Sequence, residues 1–269
     1  MIDDHELEIL INEVFEYYGF DFSGYSRASF KRRINRLMLL DGFRNFPELL
    51  SKVRSEPSYL KRMIEEITVN VTEMFRDPLF YKVLRNEILP LLATKPFIRF
   101  WHAGCSTGEE VYSMAILLKE ANLLHKSLIY ATDINPIVLD TAKKGIFSLQ
   151  MMKQYSENYI ASGGEKDFSH YYTAHYGLAK FGEDLSEKMV FSEHNLVSDG
   201  SFNEFDLILC RNVMIYFDKD LQERAIKLFD DSLSKLGYLA LGTKETIKYS
   251  EVQKRYKQFE KEKIWRKTE

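Results

Sequence analysis

Cysteine is scarce in this chain, with two residues among 269. Two cysteines cannot build a disulfide framework or a zinc site with several cysteine ligands. Long apolar runs are missing as well, since none reaches the roughly 18 residues that a membrane-spanning helix needs. The N-terminal stretch is acidic and polar, unlike a secretory signal. We therefore expect a protein of the reducing cytoplasm, without stable membrane insertion.

Glycine and proline are few, at 13 and 6 residues, which excludes collagen-like and proline-rich chains. The 19 phenylalanines and 16 tyrosines argue against disorder. A hydrophobic fraction of 45% and a charged fraction of 29% are typical of a globular protein with a full core. The length predicts one large domain or two unequal ones.

Basic residues are concentrated in one part of the chain, although the formal net charge is only −3. Residues 1–23 contain seven acidic residues and no lysine or arginine. Residues 24–62 contain ten basic residues against three acidic ones. Such a block is usually the solvated face of a helix, and the alternative is a docking surface for an anionic partner.

The hydrophobic pattern changes near residue 92. Up to that point apolar residues recur at helical spacing, as at Leu7, Leu10, Ile11 and Val14. Beyond it, short apolar runs of strand length alternate with helical segments. This alternation predicts a mostly parallel sheet covered by helices.

The predicted strands are residues 97–102, 127–132, 189–192, 205–209 and 237–241, with a closing pair at 256–259 and 264–266. The predicted helices between them are residues 109–120, 136–144 and 221–235. The stretch 163–191 is rich in Tyr, Gly and His and has no helical period, so we expect a small β-rich insertion there.

The turn after the first predicted strand is the most informative segment, and it reads Gly104-Cys-Ser-Thr-Gly108. A turn with small side chains before a helix lets a ligand approach the backbone and the helix N-terminus. Many α/β turns of this kind bind nothing, so the turn alone decides little. It also fits the G-x-S-x-G pattern of a hydrolase nucleophile elbow. That interpretation needs a late histidine, and the final 75 residues contain none.

An acid at the end of the second predicted strand favours a nucleotide-like ligand. Asp133 follows Gly108 by 25 residues, where doubly wound folds hydrogen-bond a ribose diol. The alternative is that Asp133 caps the helix starting near Pro136. The turn lacks the G-x-G-x-x-G pattern, which disfavours a dinucleotide. S-adenosylmethionine has a ribose but no pyrophosphate, so it does not require that pattern.

Two other segments contain polar side chains that could reach the same ligand site. Asn70, Thr72 and Arg76 alternate with apolar residues, which predicts either a hinge closing over a site or a helix cap with a salt-bridged arginine. Ligands of open α/β sheets lie outside the carboxyl ends of the strands. The residues that follow the 205–209 strand should therefore face the crevice; they are Arg211, Asn212 and Tyr216. We interpret Cys105 and Cys210 as small packing residues.

Together these segments resemble the CheR family of bacterial chemotaxis-receptor glutamate methyltransferases. The resemblance covers nearly the whole chain and includes an N-terminal helical domain. Five motifs carry it, in this order: Asn70-Val-Thr-Glu-Met-Phe-Arg76, Ala103-Gly-Cys-Ser-Thr-Gly-Glu-Glu110, Ala131-Thr-Asp133, Asn195-Leu196, and Cys210-Arg-Asn-Val-Met-Ile-Tyr-Phe-Asp218.

The resemblance implies a class I S-adenosylmethionine-dependent methyltransferase fold, a Rossmann-like α/β domain, behind an all-α domain and with a small inserted β-subdomain. We expect the helical domain at 1–75 with a linker to about 92, the methyltransferase domain at 93–269 and the β-subdomain at 163–191. The expected cofactor contacts are Asn70, Thr72, Arg76, Gly104, Glu110, Asp133, Asn195, Leu196, Arg211 and Asn212. Arg76 and Tyr216 match positions that the family places near the transferred methyl group.

The reaction implied by the resemblance forms glutamate methyl esters and S-adenosylhomocysteine. A glutamate side chain has a pKa of about 4.3 and is already ionised at neutral pH, so it needs no general base. This agrees with a sequence that lacks a Ser/His, Cys/His or metal-ligand constellation. The alternatives are a methyltransferase of the same fold acting on another acidic protein, a small molecule or nucleic acid, and a non-catalytic S-adenosylmethionine sensor.

The implied partner is a methyl-accepting receptor with acidic cytoplasmic helices, and we expect a monomer that binds no nucleic acid. The basic block would then face those helices. Its candidate substrate-binding residues are Arg27, Lys31, Arg32, Arg33 and Arg36.

Overall fold

The computed structural model describes residues 1–68, 71–259 and 262–268. Its N-terminal part consists of α1 (Asp4–Tyr18), α2 (Arg27–Leu40), α3 (Phe46–Ser55) and α4 (Pro57–Ile67). The apolar faces of these helices form a core of their own that runs from Ile2 to Ile67. Asp3 and Glu6 begin α1 with a capping box, in which each side chain accepts a hydrogen bond from the backbone of the other.

The segment that follows is helical and belongs to the core of the sheet. It comprises α5 (Pro78–Val83), a π-helical turn (Leu84–Ile88) and α6 (Leu89–Leu92). Its buried residues, together with Met74 and Phe75, pack in the same cluster as the central strands. The segment expected as a linker up to about residue 92 thus packs with the sheet domain, and its apolar side chains cover one face of the sheet.

The strands, in chain order, are β1 (Ile98–Ala103), β2 (Ser127–Asp133), β3 (Ile146–Ser148), β4 (Tyr172–His175), β5 (Leu178–Phe181), β6 (Met189–Glu193), β7 (Phe205–Cys210), β8 (Leu233–Leu241), β9 (Tyr256–Phe259) and β10 (Ile264–Lys267). The further helices are α7 (Glu109–Glu120), α8 (Pro136–Lys144), α9 (Met152–Ala161), α10 (Glu183–Ser186) and α11 (Lys219–Ser232).

Seven strands form the main sheet, in the order β6-β2-β1-β7-β8-β10-β9. The first five are parallel, and β10 runs antiparallel to both of its neighbours. Alternate residues of β1 face opposite cores: Phe100 packs in the cluster with α7, and Trp101 packs in the cluster with α11. Burial on both faces explains why apolar residues occupy successive positions, as Phe100 and Trp101 do in β1.

The end of α11 differs from the sequence prediction. Residues 233–235 were expected to be helical, but Leu233 begins β8 and pairs with Phe205. The pairing then shifts, so that Leu207 aligns with Tyr238. Leu236, in the left-handed region at φ 63°, lies in this irregular part of the strand. An interrupted strand of this kind has no clean period in the sequence.

The small sheet also differs from the insertion expected at 163–191. Its order is β3-β5-β4, so residues 146–148 contribute a strand from before the expected start. At the other end, β6 pairs with β2 in the main sheet. Phe147 and Phe181 both pack on Tyr112 of α7 at ring-centroid distances of 5.5 Å, which attaches the small sheet to the main core. In the part of the chain that the structure describes, no helix is long and apolar enough to cross a membrane.

Candidate active site

A cleft opens at the carboxyl ends of β1, β2, β6 and β7. Ten of the eleven residues predicted for the cofactor and the chemistry line it: Thr72, Arg76, Gly104, Glu110, Asp133, Asn195, Leu196, Arg211, Asn212 and Tyr216. The eleventh, Asn70, lies outside the described residues. The carboxyl-end rule brings Gly104, Asp133, Arg211, Asn212 and Tyr216 together from sequence, and the others were expected from the 70–76 segment and the family resemblance. The individual roles of all of them stay predictions.

The turn after β1 is drawn tightly against β2. The backbone N–H groups of Gly104 and Cys105 both donate to the carbonyl oxygen of Thr132, at 2.8 and 2.9 Å. Gly104 has a left-handed φ of 77°, and a Cβ there would lie 2.4 Å from the Val213 side chain. Glycine is therefore needed for the conformation and for the close approach of the segment after β7.

Asp133 joins the turn after β1 to the residues that begin α8. Its carboxylate accepts hydrogen bonds from the backbone N–H of Ser106 at 2.9 Å and of Asn135 at 3.0 Å. Burial raises the pKa of Asp133, although these backbone donors oppose the shift. These accepted hydrogen bonds use only part of the roughly four lone-pair sites of a carboxylate, so Asp133 can still accept bonds from a ligand. The cap of α8 is Asn135, whose side chain accepts from Ile137 N, and so the N-cap interpretation of Asp133 is wrong.

Glu110 lies in a buried chain of charges. Its carboxylate contacts His102 Nδ1 at 2.8 Å and accepts a hydrogen bond from Arg211 Nη1 at 3.1 Å. Burial acts to raise the pKa of Glu110, but the hydrogen bond from His102 and the charges of His102 and Arg211 outweigh it and lower the pKa. Glu110 is therefore an ionised carboxylate at the cleft wall at neutral pH.

Arg211 ties the 71–77 segment to the sheet. Its Nη2 donates to Asp77 Oδ2 at 2.7 Å and to the Arg76 carbonyl oxygen at 3.1 Å. The guanidinium carbon lies 4.1 Å from the centroid of the Phe80 ring. Phe75 and Asp77 both have left-handed φ angles, of 53° and 60°, so the segment follows a strained path that needs such contacts.

The two predicted catalytic residues both line the cleft and come from different segments of the chain. Arg76 belongs to the strained segment, and its Nη1 donates to the Val71 carbonyl oxygen at 3.2 Å. Tyr216 follows β7, and its backbone carbonyl accepts from Ser26 N at 2.8 Å. Both side chains are half-buried at the cleft.

The remaining predicted residues are held by local backbone contacts. Asn195 accepts a hydrogen bond from Val197 N at 2.9 Å, which shapes the turn after β6. Asn212 has a left-handed φ of 62°, and its N–H donates to Glu245 Oε2 at 2.9 Å. Glu245 also accepts from Gly242 N at 2.6 Å. Glu245 was not predicted, although it lies just after β8, where the carboxyl-end rule places ligand-binding residues.

Residues of the helical domain also line the cleft and were not predicted. They are Tyr25, Ile67 and Thr68. Helical periodicity marks buried positions but does not say which of them meets a second domain, so the sequence held no signal for them.

The hydrolase interpretation finds no support in this geometry. Ser106 Oγ is buried and has no hydrogen-bond partner among the described residues. Cys105 lines the cleft. Both Cys105 and Cys210 are buried, and burial raises the pKa of both thiols well above the ordinary range. Neutral, buried thiols agree with a packing role. Within the described ranges, no group of His, Cys, Asp and Glu is arranged to hold a metal ion.

Comparison with known proteins decides between the hydrolase and methyltransferase interpretations. The family model for the CheR methyltransferase all-alpha domain matches residues 5–68, and the model for the CheR methyltransferase SAM binding domain matches residues 70–264. The chain belongs to the CheR methyltransferase family. The predicted Rossmann-like methyltransferase fold with its all-α domain is confirmed, and S-adenosylmethionine is its cofactor.

Curated relatives resemble this methyltransferase over most of its length. Cher3 of Pseudomonas putida is 47% identical over 266 residues, covering 98% of this chain and 97% of that protein. A chemotaxis protein methyltransferase of Borreliella burgdorferi is 32% identical and covers 92% of this chain and 90% of its own. Another, from Listeria innocua, is 32% identical with 85% of each chain covered.

The cleft fits S-adenosylmethionine chemically. The cofactor carries a net positive charge, and among the described lining residues three carboxylates (Glu73, Glu110 and Asp133) face two guanidinium groups. The unpartnered Ser106 hydroxyl and the free lone pairs of Asp133 suit a ribose. Leu196 and Val213 offer apolar surface for a purine ring.

The five predicted substrate-binding cations all lie on α2, outside the cleft. Three of them pair within their own domain: Arg27 with Glu8 at 2.6 Å, Lys31 with Asp4 at 2.7 Å, and Arg36 with Glu66. Arg33 is half-buried. Arg32 is exposed and has no ion pair within the described part of the chain.

Proposed function

We propose that this methyltransferase esterifies glutamate side chains of a chemotaxis receptor in the cytoplasm, as part of sensory adaptation. The names of the Borreliella and Listeria relatives support the link to chemotaxis. The observation that supports a carboxylate as the methyl acceptor is that Arg76 and Tyr216 line the same cleft as Asp133 and Glu110. A cation and a phenol suit an acidic acceptor, and the two carboxylates suit the cationic cofactor.

When bound, S-adenosylmethionine supplies a methyl group on a positively charged sulfur. The protein then has to position the acceptor and exclude water, because an ionised carboxylate needs no base. Arg76 would orient the incoming carboxylate by a charge-assisted hydrogen bond. Tyr216 would donate to its second oxygen. Neither contact has to be strong, because tight pairing lowers the nucleophilicity of the carboxylate.

The chemistry of the labelled product tests this proposal. The full-length chain is incubated with methyl-radiolabelled S-adenosylmethionine and membranes of the native cell. We expect label on membrane proteins that mild base releases as volatile methanol, because carboxyl methyl esters hydrolyse and methylated amines do not. Peptide mapping should place the methyl group on glutamate. Arg76→Ala should slow labelling more than it weakens calorimetric binding of S-adenosylhomocysteine.

Other outcomes identify the alternatives. Base-stable label, or label in the nucleic-acid or small-molecule fraction, would mean a different acceptor for the same fold. Cofactor binding without label in any fraction would mean a sensor rather than an enzyme.

Charge reversal at Arg32 tests the docking surface on α2. Arg32→Glu breaks no ion pair in the described structure, so we expect normal stability and normal cofactor affinity. The apparent Michaelis constant for receptor should rise by about threefold to tenfold at low salt, and the difference should shrink as salt is added. Steady-state kinetics with receptor as the varied substrate measures both effects.

Lys235→Glu is the matched control. Lys235 is exposed and lies near the amino end of the sheet, away from α2 and the cleft. It should leave the receptor kinetics unchanged. If both charge reversals raised the Michaelis constant equally, the effect would be general electrostatic attraction and not docking on α2.

A further inference from the structure

The loop between α1 and α2 is fixed to the active-site segment after β7. Ser26 N donates to the Tyr216 carbonyl oxygen at 2.8 Å, and Asp218 N donates to the Gly24 carbonyl oxygen at 2.9 Å. Tyr25 and Phe217 form the antiparallel bridge between these bonds. The helical domain is thus joined by backbone hydrogen bonds to the residues on either side of Phe217, including Tyr216.

Packing holds this bridge from both sides. The Tyr25 ring lies 5.3 Å from the Phe217 ring and 5.1 Å from the Phe22 ring, both edge to face. A Cβ at Gly24 would lie 2.9 Å from the side chain of Leu221, so α11 presses directly on the loop. The position of Tyr25 is therefore determined by the helical domain and by the methyltransferase domain together.

The hydroxyl group of Tyr25 remains available. Tyr25 lines the cleft with Asp133, and its hydroxyl has no hydrogen-bond partner among the described residues. Burial raises the pKa of Tyr25, and the negative charge of Asp133 raises it further. The hydroxyl is therefore protonated, and it interacts electrostatically with the Asp133 carboxylate. A ribose diol offers two hydroxyl groups that can donate to a carboxylate and accept from a phenol.

We propose that Tyr25 binds the ribose of S-adenosylmethionine together with Asp133, so that the helical domain completes the cofactor pocket. The carboxylate accepts from the ribose hydroxyls, and the phenol donates to one of them. Cofactor affinity then depends on the docking of the helical domain through the 24–26 loop. By linkage, the bound cofactor stabilises that docking by the same free energy.

Calorimetry with S-adenosylhomocysteine and the full-length chain tests this proposal without any acceptor, so its result is independent of the glutamate assignment. Tyr25→Phe keeps the ring contacts and removes only the hydroxyl. We expect the dissociation constant to rise by about threefold to tenfold, the range for one lost hydrogen bond. The melting temperature without ligand should not change, whereas its increase on adding ligand should be smaller.

Tyr17→Phe is the control, because Tyr17 is a 59% exposed tyrosine on α1 of the same domain. It should leave the affinity unchanged. A double-mutant cycle with Asp133→Asn should show coupling between the two positions, since both act on one diol. An unchanged dissociation constant for Tyr25→Phe would overturn the proposal, and so would additive effects in the cycle.

Discussion

Arg211→Met should destabilise the protein by about 3–5 kcal/mol, the range for removing one partner of a buried ion pair. The side chain is only 3% exposed and is shared between Glu110 and Asp77. Methionine fills much of the space but removes the cation paired with Asp77 and leaves Glu110 with His102 as its remaining partner. It also frees the strained 75–77 segment, so binding of S-adenosylhomocysteine should weaken as well. Chemical denaturation and calorimetry measure the two losses.

Arg32→Met is the matched control for Arg211→Met, because it makes the same substitution at an exposed arginine without an ion pair in the described structure. Its stability should stay within about 0.5 kcal/mol of the parent. Adding Glu110→Gln to Arg211→Met should recover part of the stability, because it removes a buried charge that has lost one of its two partners. If Arg211→Met cost no more than the control, the network would not hold the segment.

Sequence pattern predicted the sheet domain well wherever one period ran through a whole element. Helices α7 and α8 have the predicted bounds, and β7 differs from its prediction by a single residue. The failures lie where tertiary contacts determine the backbone. Strand β3 has three residues, too few to show a period, and forms because Ile146 and Ser148 pair with β5.

The residues of the candidate site also fall into those that the sequence pattern predicts and those that depend on tertiary contacts. Asp133 ends β2, and Arg211 and Asn212 directly follow β7; the topology of a parallel sheet brings such strand ends together. Tyr25 could not be found from sequence, because its place depends on how a helical domain docks on α11. His102 was missed for a different reason. It lies within β1, where the sequence pattern indicates a buried packing residue. Its contact with Glu110 depends on how β1 and α7 pack, which the sequence pattern does not show.

Asp133→Ala should weaken binding of S-adenosylhomocysteine by about 1.5–3 kcal/mol, the range for hydrogen bonds to a charged group. This corresponds to roughly a tenfold to 150-fold rise in the dissociation constant. The variant also leaves Ser106 N and Asn135 N without their acceptor, so it should lose stability without ligand. Asp133→Asn keeps one acceptor oxygen and should fall between the parent and Asp133→Ala in both measurements.

The pH dependence of binding separates the ligand contact from the structural one. Burial raises the pKa of Asp133 above its ordinary value near 3.8, whereas ribose donors favour the ionised carboxylate. Affinity should therefore decrease as pH falls toward that raised pKa, and protons should be released on binding there. Asp133→Asn should remove this dependence, while Asp140→Ala, at an exposed position on α8, should keep it. If the parent and Asp133→Asn gave parallel affinity curves across the acidic range, Asp133 would only shape the turn.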